Sequence, residues 1–216
     1  MRKAEAMHRL PTTLTSIIIT ALFLVRCDHQ VQYRKIPFAV QEYFAVLPDW
    51  QKPKKVQVDQ LHRWVYWLNE NGEIRAVSAD GTHHKLINRG IGAQLGITYI
   101  DDFTIDSQGN AIYFTDLMDV ASGFSALKKS DLQGNSIEIL ETFPTETPYA
   151  VCWDTTMQQL YYLTKSEGSS VYNLQLLGES GPLATSSHKV KDITVLLNEL
   201  SHDTAITQVL AGRSAR

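Results

Sequence analysis

The side chains best placed to do chemistry are the adjacent carboxylates Asp101 and Asp102, at the head of the stretch Phe103-Thr104-Ile105. Two hard oxygen donors side by side could begin a site for a divalent cation such as Ca2+, but one strand cannot enclose an ion. The other ligands would have to come from elsewhere. The seven histidines (His8, His29, His62, His83, His84, His188 and His202) do not supply them by spacing, because no two share an element at ligand distance with an acid beside them. His83-His84 follow an Asp80-Gly81 turn, and strand neighbours point to opposite faces, so both read as surface turn residues. The stretch Gly90-Ile91-Gly92-Ala93-Gln94-Leu95-Gly96 lacks the Lys-Ser/Thr of a phosphate loop and reads as a connecting loop. No Gly-x-Ser-x-Gly elbow is present.

Composition narrows the class. The chain has 216 residues, 44% of them hydrophobic, which is enough for a packed core. Twenty basic side chains stand against 23 acidic ones. The first 26 residues hold four bases and one acid, which leaves 16 against 22 for the rest. A body of that charge has no electrostatic reason to hold a polyphosphate backbone, so no nucleic-acid partner is expected. Two cysteines, Cys27 and Cys152, exclude a disulfide-dense scaffold and a cysteine-built metal site. Cys152 reads as a buried thiol in the strand Ala150-Val151-Cys152-Trp153, with pairing to Cys27 open only where Cys27 is not lipidated.

The N-terminus follows the grammar of an export signal. Arg2, Lys3 and Arg9 precede an apolar run from Leu14 to Val25. That run is shorter than the roughly 20 residues of a spanning helix. The sequence Leu24-Val25-Arg26-Cys27 resembles a bacterial lipobox, with Arg26 where a small residue is usual, and makes Cys27 the lipidation candidate. The expected location is secreted or periplasmic, either free or held to the membrane through the N-terminus as a lipoprotein.

The body of the chain repeats. Tyr66, Tyr113 and Tyr162 align at separations of 47 and 49 residues, and Asp59, Asp106 and Asp154 at 47 and 48. Each unit has a strand ending in an aspartate and a polar turn whose N–H groups that side chain can bind. An aromatic, β-branched strand follows, such as Ala111–Thr115, then a third strand and a glycine-bearing turn toward a fourth. Four short strands per unit of this length make one propeller blade. The expected fold is all-β, a propeller-type stack of four-stranded antiparallel blades, partial or incomplete. Trp67, Tyr113, Phe114, Tyr161 and Tyr162 are expected to fill the layers between blades, while Tyr43 and Trp50 either form an exposed patch or cap the first blade.

The strands Val65-Tyr66-Trp67-Leu68-Asn69 and Ile112-Tyr113-Phe114-Thr115-Asp116 resemble the Tyr-Trp-Thr-Asp repeat of low-density-lipoprotein-receptor propellers. The run from Asp106 to Asp116 is also similar to the blade motif of gluconolactonase and strictosidine-synthase-like propellers. The motif departs at Leu68-Asn69 in the first unit and at Lys165 in the third. Both resemblances imply six blades, which at this length would need roughly 280 residues. Residues 27–216 number 190, and three units are legible. A fourth could be split between strands in residues 30–50 and strands at Val190–Leu197 and Ala205–Leu210. A second copy completing the ring as a homodimer is a further expectation. The chain thus divides into a leader (1–26), N-terminal strands or linker (27–55), blades (56–185) and a partial blade or tail (186–216).

Two functions follow. One is an exported, non-catalytic module whose loops bind a protein or glycan. The other is implied by the gluconolactonase resemblance: a metal-dependent lactonase, with a divalent cation in the channel near Asp101 and Asp102 polarising the carbonyl. Against it stand Lys54-Lys55 at the matching position of the first unit and Thr147-Pro148-Tyr149 in the third. A truncated propeller without retained activity is the third alternative.

Overall fold

The computed structural model describes residues 37–89, 99–119, 122–187 and 193. The leader, Cys27, the glycine-rich stretch 90–96 and the C-terminal strands expected at 190–197 and 205–210 lie outside the described residues, Ile193 excepted.

Among the described residues, twelve strands form three four-stranded antiparallel meanders. Blade 1 comprises β1 (Pro53–Asp59), β2 (Trp64–Asn69), β3 (Ile74–Ser78) and β4 (His84–Asn88). Blade 2 comprises β5 (Ile100–Asp106), β6 (Ala111–Asp116), β7 (Ser125–Asp131) and β8 (Glu138–Phe143). Blade 3 comprises β9 (Glu146–Asp154), β10 (Gln159–Ser166), β11 (Tyr172–Leu176) and β12 (Ala184–Ser186). The all-β, blade-like stack expected from the repeat is therefore present.

Period-two alternation explains the stacking. In blade 1, Tyr66 and Leu68 pack with Ile112 and Phe114 of blade 2. The intervening β6 residues Ala111 and Tyr113 face blade 3, where they meet Leu160 and Tyr162. A central blade buried on both faces explains why every residue of β6 is buried. Each such large apolar side chain contributes about 1.5–3 kcal/mol.

The aspartates act as the sequence predicts. A side-chain oxygen of Asp59 accepts the amide of His62 at 3.0 Å, Asp106 that of Gly109 at 2.9 Å, and Asp154 that of Met157 at 3.0 Å. Each turn then closes on a left-handed residue at one repeat position, Arg63, Asn110 or Gln158. At the blade 1–blade 2 contact, Gly134 has φ +84°, and a Cβ there would stand 2.0 Å from the Ile87 carbonyl oxygen.

Residues 38–45 correct the expectation of strands before the first blade: they form helix α1 (Phe38–Ala45). The amides of Val40 and Gln41 donate to the Pro37 carbonyl at 2.9 and 3.1 Å. Val40, Tyr43, Phe44 and Leu47 recur at helical spacing and pack on Val65, Trp67 and Val77, the face of blade 1 turned from blade 2. Tyr43 therefore caps the first blade, its ring edge-on to Trp67 at 5.9 Å, whereas Trp50 is exposed.

Burial holds the phenols of Tyr66, Tyr113 and Tyr162 in their neutral form. Tyr113 is pushed up to about 12 by burial, with the Asp106 and Glu138 carboxylates adding to it. Tyr66 rises through burial and Asp59, and Tyr162 through burial and Glu141, whose carboxylate accepts the phenol at 2.6 Å. A raised folded value means that this stability is fully present below the unfolded value, about 10. It is lost as pH rises through the folded value. Spectrophotometric titration is expected to show these tyrosines ionising above pH ~10 together with loss of β structure. Smooth ionisation of all nine tyrosines in a folded chain would contradict it.

Candidate functional site

The site is the end of the stack where β1, β5 and β9 begin. Both acids flagged by the sequence stand there, and each meets a lysine from the preceding blade. Lys54 Nζ reaches Asp101 Oδ1 at 3.0 Å, and Lys55 Nζ reaches Asp102 Oδ1 at 2.5 Å. Burial alone would lower the Lys54 ammonium, but the Asp101 carboxylate outweighs it and holds the group above its ordinary range. The other oxygen of Asp102 accepts the backbone amide of Val151 at 2.9 Å. One carboxylate thus joins the first strands of all three blades. The Asp102 amide donates to Thr115 Oγ1 at 3.0 Å, which fixes its position against β6.

The rest of this inner layer is knitted in the same manner. Gln57 donates to the Phe103 carbonyl and accepts the Ile105 amide, both at 3.1 Å. Thr104 Oγ1 accepts the Trp153 amide at 3.3 Å. Two lysine ammonium groups already neutralise the acid pair, and Thr147, Pro148 and Tyr149 of blade 3 bring no acid to it. Among the described residues, no group of three or more His, Cys, Asp or Glu side chains is disposed to hold a metal ion. Of the described histidines, His62 bonds Asp59 at 2.8 Å, His83 bonds Thr82 at 2.7 Å, and His84 lies against Tyr43 with ring centres 5.6 Å apart. The last two are exposed residues beside the Asp80 turn, as expected.

A second ionic group is not apparent in the sequence. Lys128 of β7 is buried, with Nζ at 2.7 Å from both Asp116 and Asp119. Asp116 ends β6, and its other oxygen accepts the Tyr99 and Met118 amides at 3.2 and 3.3 Å. Burial raises Asp119, but the Lys128 ammonium and the Ser122 hydroxyl and amide together outweigh it and leave the carboxyl below its ordinary range. The available signal was a lysine inside the otherwise buried strand Ser125-Ala126-Leu127-Lys128. This group anchors the β6–β7 loop and lies within the blade.

That loop belongs to the same end of the stack. Leu117 donates to the Tyr99 carbonyl at 2.9 Å, and the Ser125 hydroxyl to the Glu146 carbonyl at 2.8 Å. From blade 3, Glu167 of the β10–β11 turn donates to the Thr145 carbonyl at 3.0 Å. These contacts set Met118, Phe124 and Val171, all exposed, around the starts of β5 and β9. Trp50 stands before the start of β1, where Trp67 Nε1 donates to the Gln51 carbonyl at 2.9 Å.

Among the described residues, no helix is long and apolar enough to cross a membrane. No family model matches the chain, and no curated protein matches it. Among solved structures, it is similar to a chain of a nidogen/laminin complex at 14% identity and TM-score 0.43, covering 62% of this chain and 63% of that one. It is also similar to part of the tricorn protease at 22% identity and TM-score 0.41, covering 52% of this chain and 11% of that one. The chain spans less than two thirds of either.

Proposed function

We propose that the protein is an exported, non-catalytic propeller-type module that binds a protein or glycan partner through the loop end of its blades. The observation that carries this reading is the state of the acid pair: Asp101 and Asp102 are engaged by Lys54 and Lys55, and Asp102 also by the Val151 amide. Carboxylates committed to tying blades together are poor starting points for a cation site. The same end displays Trp50, Met118, Phe124 and Val171, and large exposed side chains of this kind are typical anchors of a recognition surface. Export rests on the basic and apolar leader.

The test is a binding screen of the full chain on a glycan array and a panel of exported proteins, beside a Trp50→Ala, Phe124→Ala double variant. The reading predicts a retained ligand whose affinity falls at least about tenfold in the variant with the unfolding midpoint unchanged. Cation-dependent turnover of a lactone panel would overturn it in favour of the hydrolase. Neither binding nor turnover would identify a propeller fragment without retained activity.

A further inference from the structure

The blades stack by a repeated fit, and its register identifies what sits on the first of them. On the receiving side of each blade, a large side chain of the second strand stands opposite the residue three places before the turn aspartate. These side chains are Trp67 opposite Val56, Phe114 opposite Phe103 and Tyr162 opposite Val151. Phe114 shares a core cluster with Tyr66 of blade 1, and Tyr162 shares one with Tyr113 of blade 2. Among the described residues no blade precedes Trp67. Its seat is filled by α1, whose Tyr43 and Phe44 rings stand edge-on to the indole at 5.9 and 5.1 Å. Val40 completes the contact with Val65 and Val77, and all three are fully shielded from water. The other side of the helix turns Gln41, Glu42 and Ala45 to solvent. Apolar inside and polar outside is what the terminal unit of a stack requires.

The attachment of α1 differs from that between blades. Gln57 bonds the β5 backbone and Thr104 accepts from β9, so the blades are tied through their main chains. Helix α1 meets blade 1 through apolar and aromatic side chains. Its eight residues are too few to stay helical in water alone, so the helix exists while it is seated.

We propose that α1 is a surrogate for a preceding blade and acts as a removable cap: seated, it bars a second copy of this chain from blade 1, and lifted, it lets two copies join through that face. The partner follows from which faces are open. Lifting α1 uncovers Val65, Trp67 and Val77 together, an apolar surface that water does not tolerate well. The outer face of blade 3 is already engaged. Ile193 is buried against it, and Cys152 on that face is completely buried and disulfide-bonded, not the free thiol expected of a small core residue. The uncovered face of one copy therefore meets the same face of another, an isologous contact that closes on itself.

The test compares the full chain with a Val40→Asp, Phe44→Asp double variant, whose carboxylates cannot stay against the apolar face. Light scattering is expected to give the variant about twice the mass of the wild type at the same concentration, with the β-sheet circular dichroism retained. Adding Trp67→Arg, which places a charge in the shared contact, should return the mass to the wild-type value. Hydrogen exchange of the wild type gives a readout that needs no variant. The α1 amides should exchange on the order of 100-fold or more faster than those of β6, because the cap opens without the blades. Exchange of α1 and β6 at one rate, or loss of the β-sheet signal in the double variant, would make α1 part of the blade core and overturn the proposal. So would a folded double variant with the wild-type mass, one that grows beyond twice that mass, or a doubled mass that Trp67→Arg leaves unchanged.

Discussion

Lys128→Met is expected to destabilise the protein by about 3–5 kcal/mol, the range for removing one partner of a buried ionic group. The methionine fills much of the same volume, so the loss is electrostatic and not that of a cavity. What remains are the carboxylates of Asp116 and Asp119, almost fully shielded from water, without the cation that lies 2.7 Å from each. The pH dependence separates this cause from a general packing defect. In the wild type, Asp119 is held below its ordinary value, so its contribution is present above the unfolded value and lost as pH falls through the folded one. In the variant, burial is opposed by Ser122 alone, and the carboxyl moves upward. Its contribution then has the opposite sign, and the deficit should be larger at about pH 7 than at about pH 4. Urea midpoints of both proteins at the two pH values check this. An equal deficit at both would show that the ionic group is not responsible.

Asp102→Ala is expected to cost about 2–4 kcal/mol. The Val151 amide, inside the blade 2–blade 3 contact, loses its acceptor, which accounts for about 1–3 kcal/mol. The remainder is the lost tie to Lys55, reduced because that ammonium is partly exposed and water can recover it. Asp102→Asn keeps an acceptor for Val151 and removes only the charge, so it should recover more than half of the loss. Chemical denaturation of the two variants distinguishes the roles: equal losses would mean that the backbone bond is unimportant and the ion pair dominates.

The sequence showed the three-blade repeat because its markers are spaced by the fold itself. Tyr66 and Tyr113 sit at matched register positions, where the third blade places Tyr161, one residue before the Tyr162 that the spacing picks out, and the turn aspartates bind the amides that any such turn must satisfy. The left-handed residues that close those turns were hidden, because none of Arg63, Asn110 and Gln158 is glycine. Residues 30–50 offered strands for a split fourth unit, and α1 lies among them as helix. Its eight residues are too few to hold a helix in water alone, and packing on Trp67 decides the matter. At the site, Lys54-Lys55 and Asp101-Asp102 were both legible, and so was their opposite sign. That they meet is a consequence of stacking: one repeat position in consecutive blades falls side by side. The Lys128 group was not legible, because Asp119 approaches only through the path of the β6–β7 loop.

The central claim is that the acid pair ties blades together and leaves the loop end for recognition. Its most direct test is thermal unfolding of the full chain with and without millimolar Ca2+, after chelation, for the wild type and Asp101→Asn. The account predicts a wild-type Tm indifferent to Ca2+, and an Asp101→Asn Tm within about 2–4 °C of it, since the Lys54 pair is partly exposed. A Tm that rises with Ca2+ in the wild type, and no longer does so in the variant, would contradict the claim and make Asp101 a cation ligand.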